Sequence, residues 1–114
     1  MDKKKVLIID DEVDFCLLMQ FYLSKKNCDV TFSHTLHEGL GSVRRNNPDI
    51  VILDNNLPDG LGWPEAQNIL ESAPGVHLFL ISANKPSLKP EVENTTFSVI
   101  EKPISISQID KFLQ

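Results

Sequence analysis

The chain has 114 residues, 41% hydrophobic and 24% charged, with a formal net charge of −5. That suits one domain with a layered core, and the acidic balance excludes the basic footprint of a nucleic-acid binder. No apolar run reaches the length of a membrane span or a secretory h-region, and two cysteines without metal spacing fit a reducing, cytoplasmic setting.

Lys3, Lys4 and Lys5 read as a solvated lead-in to Val6, Leu7, Ile8 and Ile9, a short apolar run that ends in Asp10 and Asp11. Such a run suits a strand buried on both faces of a parallel sheet. Asp14 is placed to cap a helix on which Phe15, Leu18, Met19, Tyr22 and Leu23 recur at helical spacing, with Lys25 and Lys26 in its last turn and Asn27 as the C-cap. Cys16 reads as a small buried hydrophobe. Asp29, Val30, Thr31 and Phe32 form a more polar second strand, suited to a sheet edge. Thr35 and Glu38 make a capping box for a second helix through Leu36, Leu40 and Val43, stopped by Asn46, Asn47 and Pro48.

Residues 49–53 are the third strand, closed by Asp54. Pro64 suits the first position of a third helix carrying Ala66, Ile69, Leu70 and Ala73, and Trp63 is expected to pack at its start. Residues 76–81 are a fourth apolar strand ending at Ser82. In 84–96, Pro86 and Pro90 fall where a helix is due, so that helix is expected to be short, displaced or absent, with one turn over 91–94. Residues 97–100 are a fifth strand, followed by Glu101, Lys102 and Pro103. Ser105 and Gln108 cap a last helix with Ile106, Ile109, Phe112 and Leu113. Five strands alternating with helices predict an α/β doubly wound fold with a parallel sheet.

In an open parallel sheet, ligands bind beyond the carboxyl ends of the strands. Those ends carry Asp10, Asp11 and Glu12 on the first strand, Asp54 on the third, Ser82 on the fourth and Lys102 on the fifth. Converging carboxylates repel and call for a cation, and oxygen ligands without His or Cys select Mg²⁺ or a similar hard ion. An ammonium and a hydroxyl opposite the metal suit the remaining oxygens of a phosphoryl group. His34, His37 and His77 are scattered, Glu12 reads as solvated, and Asp59 serves the turn with Gly60.

Ile9-Asp10-Asp11-Glu12, Leu53-Asp54-Asn55-Asn56-Leu57-Pro58-Asp59-Gly60, Ser82-Ala83 and Glu101-Lys102-Pro103 together resemble the receiver domain of bacterial two-component response regulators. The resemblance spans nearly the whole chain. It implies a flavodoxin-like five-stranded sheet of order 2-1-3-4-5 with helices on both faces. It implies that Asp54 accepts a phosphoryl group from a sensor histidine kinase or phosphotransfer protein. Asp10, Asp11, Asp54 and the backbone carbonyl of Asn56 would hold Mg²⁺ or Mn²⁺. Ser82 would hydrogen-bond the phosphoryl group, Lys102 would pair with Asp54 and then with that group, and the Lys102–Pro103 bond would be cis. The resemblance admits a C-terminal output domain beyond residues 1–114 or a stand-alone receiver, and a homodimer, without direct nucleic-acid or membrane binding by this domain. Val99 departs from the aromatic residue usual at its position in the family.

Two other readings use the same residues: a pseudo-receiver that only binds a partner, and a small phosphohydrolase of the haloacid dehalogenase type. The intact set Asp10, Asp11, Asp54, Ser82 and Lys102 disfavours the first. Asn56 disfavours the second, which wants an Asp two residues after its nucleophile.

Overall fold

The computed structural model describes residues 3–83, 97–111 and 113, with Phe97, Ile106 and Lys111 described by backbone alone. The expected irregular fourth helix in 84–96, the Ile106 side chain and Phe112 lie outside the described residues. Five parallel strands, β1 (Lys4–Ile9), β2 (Cys28–Ser33), β3 (Ile50–Asp54), β6 (His77–Ser82) and β7 (Phe97–Glu101), form one sheet of order β2-β1-β3-β6-β7. This is the expected order, with polar β2 at an edge. A two-stranded hairpin, β4 (Asn56–Leu57) and β5 (Gly60–Leu61), follows Asp54 and was not anticipated. Its turn places Gly60 at φ 150°, a conformation side chains rarely adopt.

Alternation along the strands divides the core between the two faces of the sheet. Val6, Ile8, Ile50, Ile52, Phe79 and Ile81 pack with Cys16, Met19 and Leu23 of α1 (Val13–Ser24) and with Ile109 of α4 (Ile106–Lys111). Leu7, Ile9, Val51, Leu53, Leu78 and Leu80 pack with Val43 of α2 (Leu36–Asn46) and with Ala66, Ile69 and Leu70 of α3 (Ala66–Ser72). Val99 joins this second side, opposite Leu80.

The helix ends follow the sequence in part. Glu38 N–H donates to Thr35 Oγ1 at 3.2 Å, as a capping box requires. Ser105 and Gln108 complete theirs in both directions, at 3.2 and 2.9 Å. Asn47, at φ 49°, closes α2 in the left-handed region. At α1, by contrast, the helix begins at Val13 behind Glu12, so Asp14 lies inside the first turn and complements the helix dipole rather than capping. Lys25 is the C-cap, ahead of Asn27 at φ 63°. Asp59 has a larger role than its turn: its carboxylate accepts the N–H groups of Leu36 (2.7 Å) and His37 (2.9 Å), capping α2 from the hairpin. Those backbone bonds from His37 and Leu36 hold its acid below the ordinary carboxylate value. Among the described residues no helix is long and apolar enough to cross a membrane.

Candidate functional site

Parallel register brings the strand ends together. Ile9 pairs with Leu53, Asp54 with Ile81 and Ser82 with Glu101, so the residues closing β1, β3, β6 and β7 meet at one edge of the sheet. Asp10 is fully buried, Asp54 and Ser82 are buried, and Asp11 is exposed. Carboxylate oxygens of Asp10, Asp11 and Asp54 lie within 4.8 Å of one another. Asn56, two residues past Asp54, is exposed at the start of β4. Lys102 N–H donates to the Ser82 carbonyl at 2.9 Å, fixing the end of β7 against β6, and the Lys102–Pro103 bond is cis.

The Lys102 ammonium does not take the expected place against Asp54. Its Nζ donates to Asp10 Oδ2 at 2.7 Å and to Glu12 Oε1 at 2.9 Å. It also lies 4.6 Å from the centre of the Phe15 ring. Burial alone would lower this ammonium, but the bonds from Asp10 and Glu12 outweigh it and raise its pKa. Burial raises Asp10 despite the partner. Asp54 is pushed up to about 7, by burial first and then by the charge of Asp10, with Lys102 and the Asn55 backbone opposing. Four acids, Asp10, Asp11, Glu12 and Asp54, and one shared ammonium leave excess negative charge at the site. A hard divalent cation fits that oxygen set and would offset the charge.

Several residues around the site were not legible in the sequence. Glu12 is exposed, as expected of a solvated residue, and is also the second anchor of Lys102. Asp10 is fixed further by Glu12 N–H donating to its Oδ1 at 2.9 Å. The Asp10 carbonyl meets His34 Nδ1 at 2.9 Å and the Cys16 thiol at 3.4 Å. Burial pushes that thiol up to about 12, so it stays a protonated packing group. Trp63, buried as expected, donates Nε1–H to the Ile81 carbonyl at 3.3 Å, and its backbone N–H reaches Asn55 Oδ1 at 3.1 Å. Asn55 N–H meets the same Ile81 carbonyl at 3.2 Å. A local signal did exist for this support, because an amide directly after a strand-end acid is suited to tying down the following loop.

Gly62 is a further support. A Cβ at this position would collide with the Asp54 carbonyl oxygen and come within 3.0 Å of Leu53. Its backbone φ of −76° suits any residue, so close approach alone demands the glycine. Gly62→Ala is expected to cost roughly 1–3 kcal/mol, the usual range for overpacking, in urea denaturation.

Comparison with known proteins gives the family and the fold. The family model described as response regulator receiver domain matches residues 6–114. A curated relative, the probable transcriptional regulatory protein TcrX of Mycobacterium tuberculosis, is 26% identical over 107 residues, covering 91% of this chain and 45% of that protein. The chain spans less than half the length of the curated relatives it matches. A response regulator receiver domain protein (CheY-like) from Methanospirillum hungatei superposes with a TM-score of 0.84 at 20% identity, covering 97% of this chain and 90% of that one. A Burkholderia pseudomallei response regulator, solved with a phosphorylated aspartic acid, calcium ion and citrate, superposes with a TM-score of 0.83 at 18% identity, covering 98% and 67%. At these identities the structures show a shared flavodoxin-like fold.

Proposed function

The chain belongs to the response regulator receiver domain family, whose members are regulatory signalling domains of two-component systems, and on that premise we propose that Asp54 is its phosphoacceptor. The observation that carries this is the Asp54 carboxyl itself. It is buried at the end of β3, raised to about 7, and within 4.8 Å of the Asp10 and Asp11 oxygens. A lone pair of the ionised Asp54 attacks the phosphorus of a phosphohistidine on a sensor histidine kinase or phosphotransfer protein. The P–N bond breaks, its electron pair returns to the imidazole nitrogen, and an acyl phosphate remains on Asp54.

Asp10, Asp11, Asp54 and the Asn56 carbonyl would hold Mg²⁺ or Mn²⁺. When bound, the ion offsets the charge of the carboxylates and of the incoming phosphoryl oxygens. Lys102 pairs with the phosphoryl group, and the Ser82 hydroxyl donates to another of its oxygens. Water later hydrolyses the acyl phosphate, with Asn56 beside the site. The half-exposed Val13, Leu17, Leu18 and Phe21 leave an apolar surface on α1, the helix that follows Asp10 and Asp11, and support a protein as the phosphodonor. We read residues 1–114 as one receiver domain acting in the cytoplasm on an output domain beyond it, in keeping with relatives more than twice its length.

The test is incubation with acetyl phosphate and Mg²⁺, read by intact mass. Gain of one phosphoryl group, lost in chelator, is the expected result. No gain favours the pseudo-receiver that only binds a partner, and turnover of varied phosphate esters favours the hydrolase.

A further inference from the structure

We propose that Glu12 is a positioning residue that holds the Lys102 ammonium on the α1 side of the site, away from Asp54, until a phosphoryl group draws it across. The proposal rests on the reading of Asp54 as phosphoacceptor. Three groups hold Lys102: Asp10 Oδ2 at 2.7 Å, Glu12 Oε1 at 2.9 Å and the Phe15 ring at 4.6 Å. Glu12 and Phe15 both belong to the entry of α1. Lys102 pairs with Asp10 and Glu12 and not with Asp54, while one carboxylate oxygen of Asp10 lies within 4.8 Å of one of Asp54. An ammonium has three donors, so Lys102 can keep Asp10 and pivot on it. What it must release to reach a phosphoryl oxygen on Asp54 is Glu12 and the Phe15 face.

Two features suit Glu12 to this hold. It sits at the N-cap of α1, yet its side chain makes no capping bond, so its carboxylate is available for the lysine. Its backbone N–H is fixed to Asp10 Oδ1 at 2.9 Å, which sets the spacing of the two acids that share the ammonium. The Glu12 side chain is 59% exposed, against 10% for Lys102 and 0% for Asp10. The Glu12 contact is therefore the weak one, screened by water and easily exchanged, whereas the Asp10 contact persists.

Glu12→Gln removes the competing charge and leaves the fold's buried groups untouched. Its expected effect is tighter binding of beryllofluoride, a phosphoryl mimic, in Mg²⁺, by about two- to fivefold, as for one exposed ion pair. Trp63, the only tryptophan in the chain and bonded beside the site, reports the titration. In a Lys102→Met background Glu12→Gln is expected to change nothing, because Glu12 acts through the lysine. Tightening that persists there is a through-space charge effect and overturns the proposal. A second measurement needs no metal: in chelator, the Lys102 side-chain NMR resonance is expected to shift on Glu12→Gln, and an unmoved resonance contradicts the hold. An adduct on the wild type whose affinity ignores Glu12→Gln overturns this proposal alone. Absence of any adduct on the wild type overturns the phosphoacceptor reading and this proposal with it.

Discussion

Asp54→Asn is expected to stabilise the metal-free fold above pH 7 while removing the phosphoacceptor. The Asp54 carboxyl has a folded value of about 7 against an ordinary value of 3.8. Between those values the folded state binds a proton that the unfolded state has lost. Stability therefore falls as pH rises through this window, and the whole penalty is present above pH 7. A difference of about three pH units corresponds to an upper bound of roughly 4 kcal/mol. The amide carries no such penalty, so the variant gains little below pH 4 and most above pH 7. Urea denaturation in chelator at pH 4 and pH 8 measures the difference. Divalent cation favours the ionised carboxylates, so its addition to the wild type at pH 8 is expected to recover part of the gap.

Lys102→Met is expected to act in the opposite direction. Its ammonium is the charged partner of fully buried Asp10, at 2.7 Å. Removing one member of a buried pair leaves the other charge uncompensated, at a cost of about 3–5 kcal/mol. Burial already raises Asp10, and loss of the lysine raises it further, so the cost shrinks as pH falls and Asp10 takes up a proton. The variant is expected to melt lower than the wild type at pH 8, with the gap narrowing at pH 5. An unchanged melting temperature at pH 8 contradicts this account of the pair.

Much of this site was legible because it is built from strand ends. Apolar runs stopping at Asp10, Asp54, Ser82 and Lys102 give both the sheet and its reactive edge, and the capping boxes at Thr35 and Ser105 are local patterns that need no tertiary knowledge. What escaped depends on contacts between residues far apart in the chain. Lys102 and Glu12 are 90 residues apart, and nothing in either neighbourhood says they touch. Asp59 looked like a turn residue because its partners at Leu36 and His37 lie on another element. Gly62 stood in a loop whose closeness to the Asp54 carbonyl follows only from the hairpin. On α1, periodicity found Met19 and Leu23, but Leu18 is 51% exposed, because an almost wholly apolar helix does not declare which face is inward.

The central claim is that the Asp54 side chain is the atom group that takes the phosphoryl group. Peptide mass mapping after exposure to acetyl phosphate and Mg²⁺ tests it most directly. The expected result is one phosphoryl group on the peptide containing Asp54, localised by fragmentation to that residue and absent from Asp54→Asn. A phosphoryl group found on another residue, or retained in full by Asp54→Asn, would contradict it.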